Sequence, residues 1–198
     1  MHGLVNRALQ RFAEDTHGLD VWSEAAEAAR PGLGGFESML SYDDALTAKV
    51  LAALSQRIGT PVAMILEDIG TYLVSHPNTE PLRRLLRFGG DSFPEFLYSL
   101  DDLPDRVRLA VPDLVLPALA LAEHAPGRCT LTAGPGLPGF GHVLVGMLRA
   151  MADDYGVLAL VELRSDGPHG ACLALTVAEA DFAKGRRFDL SLAATVRA

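Results

Sequence analysis

Cysteine is scarce: Cys129 and Cys172 are the only two in 198 residues, and neither belongs to a CxxC pair. That excludes a zinc ribbon and a disulfide-built scaffold, and it suits a reducing compartment. Basic residues are outnumbered, with 17 Lys and Arg against 25 Asp and Glu, a formal net charge of -8. A chain this acidic lacks the positive surface that phosphate backbones demand, so nucleic acid is not an expected partner. No apolar run approaches the length of a membrane-spanning helix, so no membrane contact is expected. The segment Met1–Asp15 has neither the charged start nor the apolar stretch of a secretory signal. These absences together predict a soluble cytoplasmic protein. Generic catalytic signatures are missing too: there is no GxSxG, no HExxH and no Walker loop. The chain is therefore not expected to be an enzyme.

What is present is the composition of a folded chain, 49% hydrophobic and 21% charged, with enough apolar material for one good core. Apolar residues recur at helical spacing from Gly3 (Leu4, Val5, Ala8, Leu9, Phe12), and Gly18 supplies a stop. Further helices are predicted over Val21–Ala29, Asp43–Ile58, Pro61–Ser75 with Thr60 as cap, Glu80–Phe88 and Phe93–Leu109. Pro104 should interrupt the last of these, because it removes a backbone N–H. After Pro112 the pattern shortens. Strands are predicted over Val115–Glu123, Cys129–Ala133, Val157–Arg164 and Ala171–Val177, with a helix over Phe140–Tyr155 whose apolar face includes Val143, Leu144, Met147 and Met151. This order reads as α+β, with a helical part over about 1–110 and a helix-and-sheet part over about 111–178, one domain in all. The tail over 179–198 is weakly patterned, with a loop at Lys184–Arg187.

Few side chains announce chemistry by spacing alone. Gly134, Gly136, Gly139 and Gly141 precede a helix, as in phosphate cradles, but two prolines interrupt them and the spacing is wrong. The acid pairs Asp43-Asp44, Asp101-Asp102 and Asp153-Asp154 diverge around a helix and suit helix ends better than shared protons or metals. Arg83, Arg84 and Arg87 read as a solvated helix face.

Longer phrases carry more. The opening Met1-His-Gly-Leu-Val-Asn-Arg-Ala-Leu-Gln10 with Gly18 and Trp22, Phe36–Met39 before Ser41-Tyr-Asp-Asp44, Leu54–Pro61 and Ile69-Gly-Thr-Tyr72 form one set. Glu95-Phe-Leu-Tyr-Ser-Leu-Asp-Asp-Leu103, Val111-Pro112, Pro117 and Gly146-Met-Leu-Arg149 form a second. Together they resemble the H-NOX (heme–nitric oxide/oxygen binding, HNOB) domain, also the sensor of soluble guanylate cyclase, over roughly residues 1–177. The resemblance implies a helical subdomain and a helix-and-sheet subdomain with heme b clamped between them.

The same resemblance marks the positions that would hold the heme. The proximal histidine of the family falls at Pro104, which offers iron no ligand. Its Tyr-x-Ser-x-Arg clamp for the heme propionates falls at Ala133, Pro135 and Leu137, none of which has a side-chain donor. Pro117 stands where the family presses a proline on the heme, and Val5, Leu9 and Leu73 stand at distal lining positions. His2 falls where the cyclase sensor has a distal tyrosine; it is the first candidate for a relocated iron ligand, and a helix-capping residue otherwise. His124, His142 and Cys129 are weaker candidates. The resemblance thus implies a signalling domain of a nitric oxide-sensing family, with a degenerate heme site, that acts by regulating a partner protein. Stand-alone bacterial members regulate a histidine kinase or a cyclic-di-GMP enzyme through rotation between subdomains. The alternatives are a functional heme-based gas sensor with His2 as ligand, and an adaptor that holds no ligand.

Overall fold

Helix-starting chemistry is dense in the first half of the chain. In the computed structural model, which describes residues 1–179 and 182–186, His2 caps helix α1 (Gly3–His17) by accepting a hydrogen bond at Nδ1 from the Leu4 amide, 3.2 Å away. Helix α2 spans Leu19–Ala29, and Asp43 caps α3 (Asp44–Ile58) through the Ala45 amide. Helix α4 (Val62–Ser75) departs from expectation at its start. Pro61 holds the cap position, and the Thr60 side chain makes no cap bond; its carbonyl instead accepts from the Ser55 hydroxyl. Helix α5 covers Glu80–Arg87. Ser92 and Glu95 form a reciprocal capping box at the start of α6 (Phe93–Tyr98).

The long predicted helix over Phe93–Leu109 is broken as its proline requires. A 3-10 turn, Ser99–Asp102, follows α6, and α7 (Leu103–Ala110) restarts with Pro104 in its first turn. There the missing N–H costs nothing, since first-turn amides have no intrahelical partner.

Four strands build one antiparallel sheet in the order β1-β2-β4-β3: β1 (Leu119–Ala125), β2 (Arg128–Ala133), β3 (Leu158–Gly167) and β4 (Gly170–Glu179). Strand β1 starts four residues later than the pattern suggests. Leu114 and Leu116 alternate like strand residues but line a cavity instead, and Pro117 cannot donate to a ladder. Register places Leu131 opposite Leu173 and Val161 opposite Leu175, all buried on the face that meets helix α8 (Phe140–Tyr155). The loop at Lys184–Arg186 has no regular structure; Arg187 and most of the tail lie outside the described residues.

Two hydrophobic clusters result. One gathers Leu9, Phe12, Trp22, Phe36, Val50, Leu54 and Ile65 among the N-terminal helices; the other gathers Phe96, Leu100, Leu131, Leu144, Leu148, Met151 and Leu173 around the sheet. Helices α4 and α8 join them in the most extensive contact between helices. A Cβ on Gly70 would stand 2.1 Å from the Val143 carbonyl oxygen, and one on Gly146 would stand 1.8 Å from that of Glu67. The two backbones touch where neither helix has a side chain. No helix among the described residues is long and apolar enough to cross a membrane.

Candidate functional site

Beside that helix crossing, between the two clusters, lies a cavity of about 260 Å³. Helix α1 contributes Val5, Ala8 and Leu9, α3 contributes Thr47 and Leu51, and α4 contributes Leu66, Ile69 and Leu73. Leu103 and Val107 of α7, one helical turn apart, add to the wall, as do Met1, Leu114, Leu116, Leu137, Phe140, Val143 and Met147. Among the described residues that line it there is no His, Cys, Tyr or charged side chain. Thr47 supplies the lone hydroxyl of this lining, and it donates to Asn6 Oδ1 at 2.7 Å.

The sequence-marked positions divide. Val5, Leu9, Leu73 and Leu137 line the cavity together. Pro104 is half-buried and outside the lining, although its neighbour Leu103 belongs to it. Pro117 is likewise outside, buried next to Leu116. His2 is not in the lining; its Nδ1 is engaged by the Leu4 amide, and its backbone bridges to Ser41. Ala133 and Pro135 line a neighbouring open groove of about 720 Å³, which shares Leu66, Leu137, Pro138 and Phe140 with the cavity. The glycine-rich loop before α8 forms one side of this groove, and its titratable side chains are the acids Asp44 and Asp166 together with His142. Asp44 accepts from the Met1 ammonium, whereas one carboxylate oxygen of Asp166 is buried without a partner.

Weaker candidates are placed elsewhere. His142 approaches Glu67 across α4 and α8 at 3.4 Å, and His124 meets the Thr130 hydroxyl at 2.8 Å on the sheet. Cys129 is buried in the sheet-side cluster, and burial pushes its thiol pKa up, away from thiolate character. No group of three His, Cys, Asp or Glu residues able to hold a metal ion occurs among the described residues.

Sequence reasoning missed one constellation. Asp154, near the end of α8, is buried and accepts from Arg83 Nε at 2.9 Å and Nη2 at 3.2 Å. Arg87 and Arg186 approach the same carboxylate at 3.6 and 3.7 Å, and Arg87 also stacks on the Tyr155 ring. Arg83 is only 4% exposed, so the expected solvated face is corrected at Arg83 while Arg84 is exposed: burial of Arg83 is made tolerable by Asp154 on α8 and by Glu80 at 3.1 Å.

A heme b can be tested against these residues. An iron ligand would have to come from the lining, where Met1 and Met147 are the only side chains with a donor atom besides Thr47. Two propionates would need cationic or hydroxyl donors, and the clamp positions offer a methyl, a pyrrolidine ring and an isobutyl group. The groove next to them is acidic. The residues present do not fit the group by the contacts that the resemblance implies.

Known proteins place this architecture. The Haem-NO-binding (HNOB) family model matches residues 2–162. Soluble guanylate cyclase gcy-31 of Caenorhabditis elegans is 25% identical over 154 residues, which is 78% of this chain and 22% of that protein. Soluble guanylate cyclase 89Db of Drosophila melanogaster is 21% identical over 155 residues, 78% of this chain and 23% of that one. The chain thus spans about a fifth to a quarter of the length of these relatives. In fold it is similar to the Fe(II) unliganded H-NOX protein of K. algicida, with a TM-score of 0.76 at 17% identity, covering 90% of this chain and 97% of that one. The H-NOX protein of S. oneidensis in its Fe(II)NO state gives 0.71 at 17% identity, covering 89% and 99%. With 161 consecutive residues inside the family model and the same α+β architecture, this chain belongs to the Haem-NO-binding, or H-NOX, family of sensor domains.

Proposed function

We propose that this chain is an H-NOX signalling domain that works without the family's heme contacts and regulates a partner protein. One observation carries the reading. Pro104, Ala133, Pro135 and Leu137 leave both the iron position and the propionate positions without donors, and the cavity is lined by hydrocarbon. Loss of one contact can be compensated by the others. Loss of ligand and clamp together leaves the macrocycle only dispersion and apolar burial to hold it.

Regulation of a partner is supported by the relatives, in which the matching stretch is a minor part of a guanylate cyclase. The classes of partner to test are a histidine kinase and a cyclic-di-GMP enzyme. The domain acts on it through a two-state element, the α4–α8 crossing, that joins two separately packed halves.

The test is the absorption spectrum of protein expressed with supplemented heme, beside a His2→Ala variant. Folded protein without a stoichiometric Soret band is expected. A stoichiometric band that shifts with nitric oxide and changes in the variant would replace this reading with a gas sensor ligated by His2. For the partner, the turnover of histidine kinases and cyclic-di-GMP enzymes from the source organism is expected to change in at least one case on adding the protein. Unchanged turnover in all of them overturns that half of the reading.

A further inference from the structure

We propose that the cavity between the two halves binds a compact, uncharged, apolar molecule of about ten carbon atoms, and that its acidic mouth turns away carboxylates. The proposal rests on the heme-independent reading above and assigns that site its ligand class.

Size sets the first limit. An apolar protein cavity of about 150 Å³ holds benzene, so about 260 Å³ scales to a bicyclic arene or a short terpene, on the order of ten carbons. Water is a poor occupant. It needs two to four polar partners, and the one hydroxyl of the lining has already given its hydrogen to Asn6. An apolar molecule regains the dispersion contacts that a void forfeits.

Charge sets the second limit. Leu66, Leu137 and Phe140 line both cavity and groove, so a ligand entering from the groove passes them. Asp166 stands in that groove with one carboxylate oxygen buried and unpartnered; no Lys or Arg lines it among the described residues, and the two groups there able to carry positive charge, His142 and the Met1 ammonium, face Glu67 and Asp44. Asp166 also lies against the start of α8, where a Cβ on Gly141 would meet its carboxyl carbon at 3.1 Å. The helix terminus that would attract a ligand's anion therefore already has one. A second carboxylate would meet like charge in a poorly solvated place.

Naphthalene is the probe, followed by its own fluorescence on the full chain and on Ala8→Phe and Leu73→Trp, two variants that fill the cavity from different helices. Saturable binding of one naphthalene per chain is expected, weakened about tenfold or more in whichever variant is folded by circular dichroism. Its anionic analogue 1-naphthoate is expected to bind about tenfold more weakly than naphthalene, with part of the loss recovered in Asp166→Asn. Absence of saturable binding, equal binding by both filled variants, or naphthoate as tight as naphthalene overturns the proposal. Hemin titrated separately distinguishes the two levels. A stoichiometric Soret band refutes the heme-independent reading whatever naphthalene does, whereas silence of both probes leaves that reading standing and removes this ligand.

Discussion

A single buried carboxylate, Asp154, holds together parts of the chain that no local pattern connects. Its partner Arg83 is 71 positions away, and each looks ordinary in sequence, one as half of an acid pair at a helix end, the other as one of three surface arginines. Burial is a property of the packed whole, so this link was illegible beforehand. Asp154→Ala removes the carboxylate that two nitrogens of buried Arg83 share and leaves it the half-buried Glu80 at 3.1 Å, and it is expected to cost about 3 kcal/mol in urea unfolding. Asp15 gives a second case. Hydrogen bonds from the Tyr72 hydroxyl at 2.6 Å and the Asn78 amide at 2.8 Å hold its carboxyl below the usual range, against the opposing effect of burial. The folded state therefore takes up this proton less readily than the unfolded state. The contribution is fully present above about pH 3.9, the ordinary Asp value, and is lost as pH falls toward the lower folded value. Asp15→Asn is expected to flatten that acid limb of the stability profile, measured by urea midpoints at successive pH values.

Elements were read more securely than residues wherever punctuation was local. The bounds of α8, the restart at Pro104 and the stop at Gly18 follow from capping and from proline chemistry within a few residues. The start of β1 did not, because alternation at Leu114 and Leu116 looks the same whether the residues face a sheet partner or a void. Contact between elements was also hidden. Gly70 and Gly146 stand inside helices, where glycine is ordinarily a cost, and the benefit is visible only once α4 and α8 are seen backbone to backbone. Gly146→Ala places a methyl within 2 Å of where the Glu67 carbonyl now sits. It is expected to destabilise by about 2–3 kcal/mol, read from chemical denaturation, whereas alanine at an exposed helical glycine would stabilise.

At the scale of the whole molecule the candidate site is a space and not a set of reactive groups, which is why spacing alone could not find it. Resemblance marked Val5, Leu9, Leu73 and Leu137; Ala8, Thr47, Leu66 and Val107 join them only because several helices leave the same volume unfilled. A ligand there touches both hydrophobic clusters and is expected to raise the thermal midpoint by mass action. At ten times its Kd the gain is about 1.4 kcal/mol, or about 3–6 °C for a chain of this length, measurable by calorimetry with naphthalene. The glycine crossing gives that occupancy a mechanical meaning. A bare backbone contact has no side chain to bend, so sliding one helix along the other collides at once, while rocking about the touching point stretches little. The crossing is a fulcrum, and the cavity lies to one side of it. A molecule that only fills the cavity holds the present angle between the halves, whereas one larger than the cavity would act as a wedge and is expected to rock them about that point.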